Sequence, residues 1–208
     1  MISLCITHRV DEDISWVEDL YSDLLIYNKG SKWDLPYEHK IAPKIVSEAD
    51  TYIRGIIDSY DELYRYRWVF LLLPNCKDFD SNLINHLTSS QYIGISDEEL
   101  TLLSKETFNF NFESYKQFLN ENNSSGIELQ AIEFVENVLK NLQIFDEKQD
   151  LLCSPMPQFV VPIQFITSKP KSWWILLHSY VLQMNEMFGP SLSQIFTIMW
   201  CFILNNLQ

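Results

Sequence analysis

Trp68-Val69-Phe70-Leu71-Leu72-Leu73, followed by Pro74-Asn75-Cys76-Lys77-Asp78-Phe79-Asp80, is the stretch on which the fold turns. Six consecutive apolar residues without polar alternation predict a strand buried on both faces, of the kind found at the centre of helix-covered sheets. Pro74-Asn75 stops the run. Upstream, Ile2–Thr7 reads as a short buried strand and Ile14–Tyr21 as a helix, with Ile14, Val17, Leu20 and Tyr21 at helical spacing. Leu24–Tyr27 is a second strand, closed by the turn Asn28-Lys29-Gly30. Strand, helix and strand within thirty residues predict a βαβ unit with parallel strands.

Ser47 to Leu63 reads as a helix with Ser47 as N-cap. Tyr52, Ile53, Ile56, Ile57 and Tyr60 form its buried stripe, and Glu48 and Asp50 lie near its start. Ser81–Leu87 predicts a brief helix, Tyr92–Ile95 a short strand and Ser96–Glu99 a capped turn. The region 103–150 is a less regular, helical and looped insertion. Within it Phe108–Phe112 alternates with period two, as a strand or as loop anchors, and 127–143 is a helix. Phe159–Ile166 returns to strand character, Lys171–Met187 is a helix, and Leu192–Asn205 is a last helix. Its apolar stretch falls short of the roughly 20 residues that span a bilayer. The expected fold class is α/β: a single domain over 1–208, with a mostly parallel sheet flanked by helices.

Composition narrows the function. Lysine and arginine total 15 against 28 acidic residues, a net charge of −13. Nucleic-acid binding draws its affinity from neutralised phosphates, so no nucleic-acid partner is expected. The same charge disfavours adsorption to an anionic leaflet, though peripheral membrane contact stays open. Cys5, Cys76, Cys153 and Cys201 are widely spaced, which predicts reduced thiols. Met1–Ile6 lacks the basic n-region and long apolar core of a signal peptide, so a cytoplasmic, non-transmembrane protein is expected.

Open parallel sheets place ligands at the carboxyl ends of their strands. Thr7-His8-Arg9, Asn28-Lys29 and the segment after Leu73 all fit that position. Asp78 and Asp80 in an extended loop turn both carboxylates to one side, where they can share Mn²⁺ or Mg²⁺ against a diphosphate. They also suit a turn and the N-cap of a helix from Ser81. His8 and Arg9 can meet a base or phosphate or simply be solvated, and Lys29 can pair with phosphate or serve solubility. His39, His86 and His178 show no mutual ligand spacing and read as structural. There is no Gly-rich phosphate loop and no Gly-x-Ser-x-Gly elbow.

Glu12-Asp13-Ile14-Ser15-Trp16, Ile26-Tyr27-Asn28-Lys29-Gly30, Glu48 with Thr51-Tyr52-Ile53, Ile56–Leu63 and Val69-Phe70-Leu71 follow in a specific order and spacing. Gln158-Phe159, Val161, Ile166 and Lys169-Pro170 form a late block. Together they resemble a family of unassigned function whose pattern is similar to that of GT-A-type glycosyltransferases. The resemblance covers most of 1–80 and 155–205. It implies a GT-A-like (Rossmann-like) fold and glycosyl transfer from a nucleotide-diphosphate sugar to an acceptor. Thr7, His8, Arg9, Asn28 and Lys29 would lie near the nucleotide, Asp78 and Asp80 at the metal, and Glu48 and Asp80 in catalysis. The chain departs from the pattern at Ser47 and Ile163, where the family tends to have arginine, and at Thr197, where it tends to have glutamate. A non-catalytic binding or assembly module on the same fold is the alternative.

Overall fold

The computed structural model describes residues 2–8, 15, 23–28, 39–41, 48–72, 101–102, 107–122, 126–146, 149–153, 158–189, 195, 199–200, 202–204 and 206. Eight strands are defined: β1 (Ile2–His8), β2 (Asp23–Asn28), β3 (His39–Ile41), β4 (Trp68–Leu72), β5 (Thr101–Leu102), β6 (Phe108–Phe110), β7 (Leu151–Cys153) and β8 (Phe159–Pro162). Between and after them come α1 (Glu48–Ser59), a 3-10 helix (Tyr60–Arg65), α2 (Phe112–Glu121), α3 (Gly126–Asn141), α4 (Ile163–Thr167) and α5 (Lys171–Phe188). Residues 199–200 and 202–204 are also helical.

The strands form a six-stranded sheet in the order β3-β2-β1-β4-β8-β5 and a separate pair, β6-β7. β1 runs parallel to both β2 and β4, and β2 parallel to β3. β8 runs antiparallel to β4 and to β5, and β6 antiparallel to β7. All five residues of β4 and all four of β8 are buried, as continuous apolar runs require.

This arrangement corrects the expected GT-A-like, Rossmann-like fold with its mostly parallel sheet. Helix outweighs strand among the described residues, and β3, β5, β6 and β7 are only two or three residues long. The sheet is mixed, with β8 reversed between β4 and β5, and the second sheet is wholly antiparallel. The run Phe159-Val160-Val161 shows that a strand is buried but carries no mark of its direction. Direction comes from the connection, and the long excursion between β4 and β8 lets the chain return reversed.

Two local expectations also change. The strand from Phe159 stops at Pro162 rather than running to Ile166, because Pro162 has no N–H to continue the ladder and turns the chain into α4. Ile163 N–H instead donates to the Arg67 carbonyl at 3.0 Å, tying α4 to the base of β4. Phe112 does not extend an alternating strand; it opens α2. The Asn111 side chain accepts from Ser114 N–H at 3.1 Å as N-cap.

One hydrophobic cluster extends from Tyr27 to Leu204. Phe202 bridges it to the insertion, with ring contacts to Phe110, Phe112 and Phe145. Cys153 is buried and carries no disulfide; the side chains of the other three cysteines lie outside the described residues. Among the described residues no helix is long and apolar enough to cross a membrane.

Candidate functional site

Parallel pairing sets three strand ends side by side. Thr7 lies opposite Tyr27 and His8 opposite Asn28. Ile6 lies opposite Leu72, so the chain leaves β4 at the same edge where it leaves β1 and β2. Register therefore places Thr7, His8 and Asn28 together at the carboxyl edge of the parallel strands. Arg9, Lys29, Asp78 and Asp80 lie outside the described residues. Glu48 is the first residue of α1, and its side chain lies outside them too. Among the described residues no group of three His, Cys, Asp or Glu side chains is arranged to hold a metal. A Mn²⁺ or Mg²⁺ site at Asp78 and Asp80 thus rests on their sequence alone.

Tyr27 and Lys40 anchor the β2–β3 end of the sheet to α1. The Tyr27 hydroxyl donates to Asp58 Oδ2 at 2.7 Å, and Lys40 Nζ donates to the same oxygen at 2.6 Å. Burial raises the Asp58 carboxyl, but these two hydrogen bonds together with the charges of Lys40 and Arg54 outweigh it, and the net effect lowers its pKa. Asp58 therefore stays ionised at neutral pH and ties α1 to β2 and β3.

A second polar group sits at the other end of α1. Asp50 is fully buried, which an ionised carboxylate tolerates only when paired and hydrogen-bonded. Arg54, one turn on, donates its Nε to both carboxylate oxygens at 2.9 Å. His178 Nε2 on α5 lies 2.6 Å from Asp50 Oδ1. Burial pushes the Asp50 carboxyl up, but the His178 hydrogen bond and the Arg54 guanidinium more than offset it, so its pKa falls below the ordinary value. An ionised carboxylate only accepts hydrogen bonds, so His178 carries its proton on Nε2.

The neighbouring contacts show how the sequence builds this group. Tyr60 hydroxyl donates to the Lys169 carbonyl, and Lys171 Nζ bonds Asp61. With Asp50 against His178, α1 and its 3-10 extension therefore run antiparallel to the segment 169–178. Chemically, a histidine oriented by a buried carboxylate is the arrangement used to move protons, and it also locks two helices together. Sequence reading placed Asp50 only as a helix-start carboxylate and His178 as structural. The Asp50–Arg54 spacing of i, i+4 was a local signal; the partner 128 residues away left none.

The chain matches no protein-family model, no curated protein and no solved structure.

Proposed function

We propose that the chain binds a nucleotide-diphosphate sugar across the carboxyl ends of β1, β2 and β4 and transfers its glycosyl group to an acceptor. The observation that supports this reading is the in-register placement of Thr7, His8 and Asn28, with β4 ending at the same edge. Ligands settle at that edge of parallel strands because the loops leave it on adjacent strands and their backbone groups are not used by the ladder. Mn²⁺ or Mg²⁺, held by Asp78 and Asp80, would neutralise the departing diphosphate. Glu48, at the start of α1, is the acid/base or positioning group in this reading.

The test is thermal denaturation of the full chain with nucleotide-diphosphate sugars, with and without Mn²⁺. A ligand bound only to the native state at 100 times its Kd adds about 2.7 kcal/mol of stability. The expected result is a Mn²⁺-dependent rise in Tm that vanishes in the double variant Asp78→Asn, Asp80→Asn. Stabilisation retained in that variant removes the metal role. No stabilisation by any nucleotide sugar removes the transferase reading.

A second reading, a non-catalytic assembly module, is supported by a different observation. Ile175, Leu176, Leu182 and Met187 stand exposed along α5, while Ile163 and Ser47 stand where the resembled family tends to have arginine. Absence of nucleotide binding together with a soluble partner complex disrupted by Leu176→Asp favours this reading.

A further inference from the structure

Of lysine, arginine, aspartate and glutamate residues, α5 contains only Lys171 at its start and Glu186 near its end. Lys171, Ile175, Leu182 and Glu186 follow at spacings of four, seven and four, so they line one edge of the helix. They also stand symmetrically about the midpoint between His178 and Ser179, with opposite charges at the two ends and aliphatic residues inside them. Ile175 is 52% and Leu182 38% exposed. Glu186 is exposed and Lys171 partly so. Trp174, Leu177, Val181 and Met184 turn the other way, into the core, so the fold leaves this edge to water.

That symmetry is what contact with an identical helix requires. In a two-fold interface, where residue i meets residue j, residue j also meets residue i. Two α5 helices set antiparallel about this midpoint bring Ile175 against Leu182 of the second copy and Lys171 against its Glu186, and each contact occurs twice. A parallel pairing would instead set Lys171 on Lys171 and Glu186 on Glu186. Ser179, exposed and small, lies at the crossing point and lets the two backbones approach. Leu176 and Met187, also exposed, widen the apolar strip. The net charge of −13 opposes association of two copies. Beyond about 8 Å it is screened at physiological salt, and at contact range the helix supplies its own opposite charges. Lys171 already bonds Asp61 at 2.6 Å, but Asp61 is 77% exposed, and a surface pair of this kind is exchanged at little cost.

We propose that α5 is a self-association surface, on which two copies of this chain pair antiparallel through Lys171, Ile175, Ser179, Leu182 and Glu186 into a two-fold dimer. This deepens the assembly-module reading: it rests on the same exposed face and names the partner as a second copy. One helix face on another is smaller than the roughly 1,200–2,000 Å² of a standard interface. A dimer with a Kd in about the micromolar range is therefore expected.

The experiment is sedimentation equilibrium of the full chain at concentrations from about 1 to 200 µM. Wild type is expected to pass from monomer to dimer across that range. Leu182→Asp, which sets a carboxylate against Ile175 at both contacts, should leave only monomer. Lys171→Glu and Glu186→Lys, each alone, should weaken the dimer by about fivefold or more, since each removes two exposed ion pairs. The double variant Lys171→Glu, Glu186→Lys should restore it, because the pairs reform with their signs exchanged. The double variant decides the case even if Leu182→Asp does not fold. A monomer at every concentration, a dimer indifferent to Leu182→Asp, or a double variant no tighter than the single ones overturns the proposal. A monomer whose α5 is covered by a different protein, in the complex that Leu176→Asp disrupts, overturns it too and leaves the assembly-module reading standing.

Discussion

Replacing Asp50 with alanine removes a buried carboxylate that joins α1 to α5 and leaves two donors, Arg54 Nε and His178 Nε2, without their acceptor. Breaking a fully buried ion pair costs about 3–5 kcal/mol. Here the Arg54 and His178 side chains retain 31% and 17% exposure, so water replaces part of the lost bonding and the expected cost falls to about 2–3 kcal/mol. For a chain of this size that corresponds to a fall in Tm of roughly 5–10 °C. Asp50→Asn keeps the shape and one acceptor oxygen, so it should cost less than the alanine variant. The pH dependence has a definite sign. Asp50 has a depressed pKa, so its contribution is present above the ordinary carboxylate range and is lost as pH falls through its folded value. Urea denaturation of wild type and Asp50→Asn should therefore show a stability gap that is constant near neutrality and narrows below about pH 4. A gap under about 0.5 kcal/mol at pH 7, or one that does not narrow in acid, refutes the assignment of Asp50 as an ionised clamp.

The other expectations are local. Asn111→Ala should destabilise by about 1 kcal/mol through loss of the α2 cap, and Asn111→Ser should recover most of it; chemical denaturation distinguishes the two. Tyr27→Phe should cost about 1 kcal/mol. It should also raise the Asp58 pKa toward its ordinary value, because one of the two hydrogen bonds holding it down is lost. A carboxylate NMR titration that finds Asp58 unmoved would contradict the hydrogen bond.

Several elements were legible from local pattern. The unbroken run Trp68–Leu72 is a buried strand, and the stripe Tyr52, Ile53, Ile56 is the buried face of α1 because apolar spacing at 3.6 residues permits little else. Thr7 was legible as part of a strand, whereas His8 and Asn28, read as the residues just after their strands, are the last residues of β1 and β2. α2 was missed although Asn111, three residues before the Ser114 N–H it caps, was a usable sign. The alternation of Phe108, Phe110 and Phe112 outweighed it, and only the first two of these belong to a strand.

By itself the sequence determined which segments are apolar enough to be buried, where prolines interrupt them, and that the chain carries a large excess of negative charge. Those properties depend on residues a few positions apart. Tertiary structure decided what depends on distant segments meeting. It reversed β8 beside β4, set His178 against Asp50, and brought Lys171 onto Asp61. Side-chain period records burial but neither strand direction nor partner, and net charge sums over a surface without saying where each sign lies. Both are settled only when the connections bring residues about 100 positions apart into contact.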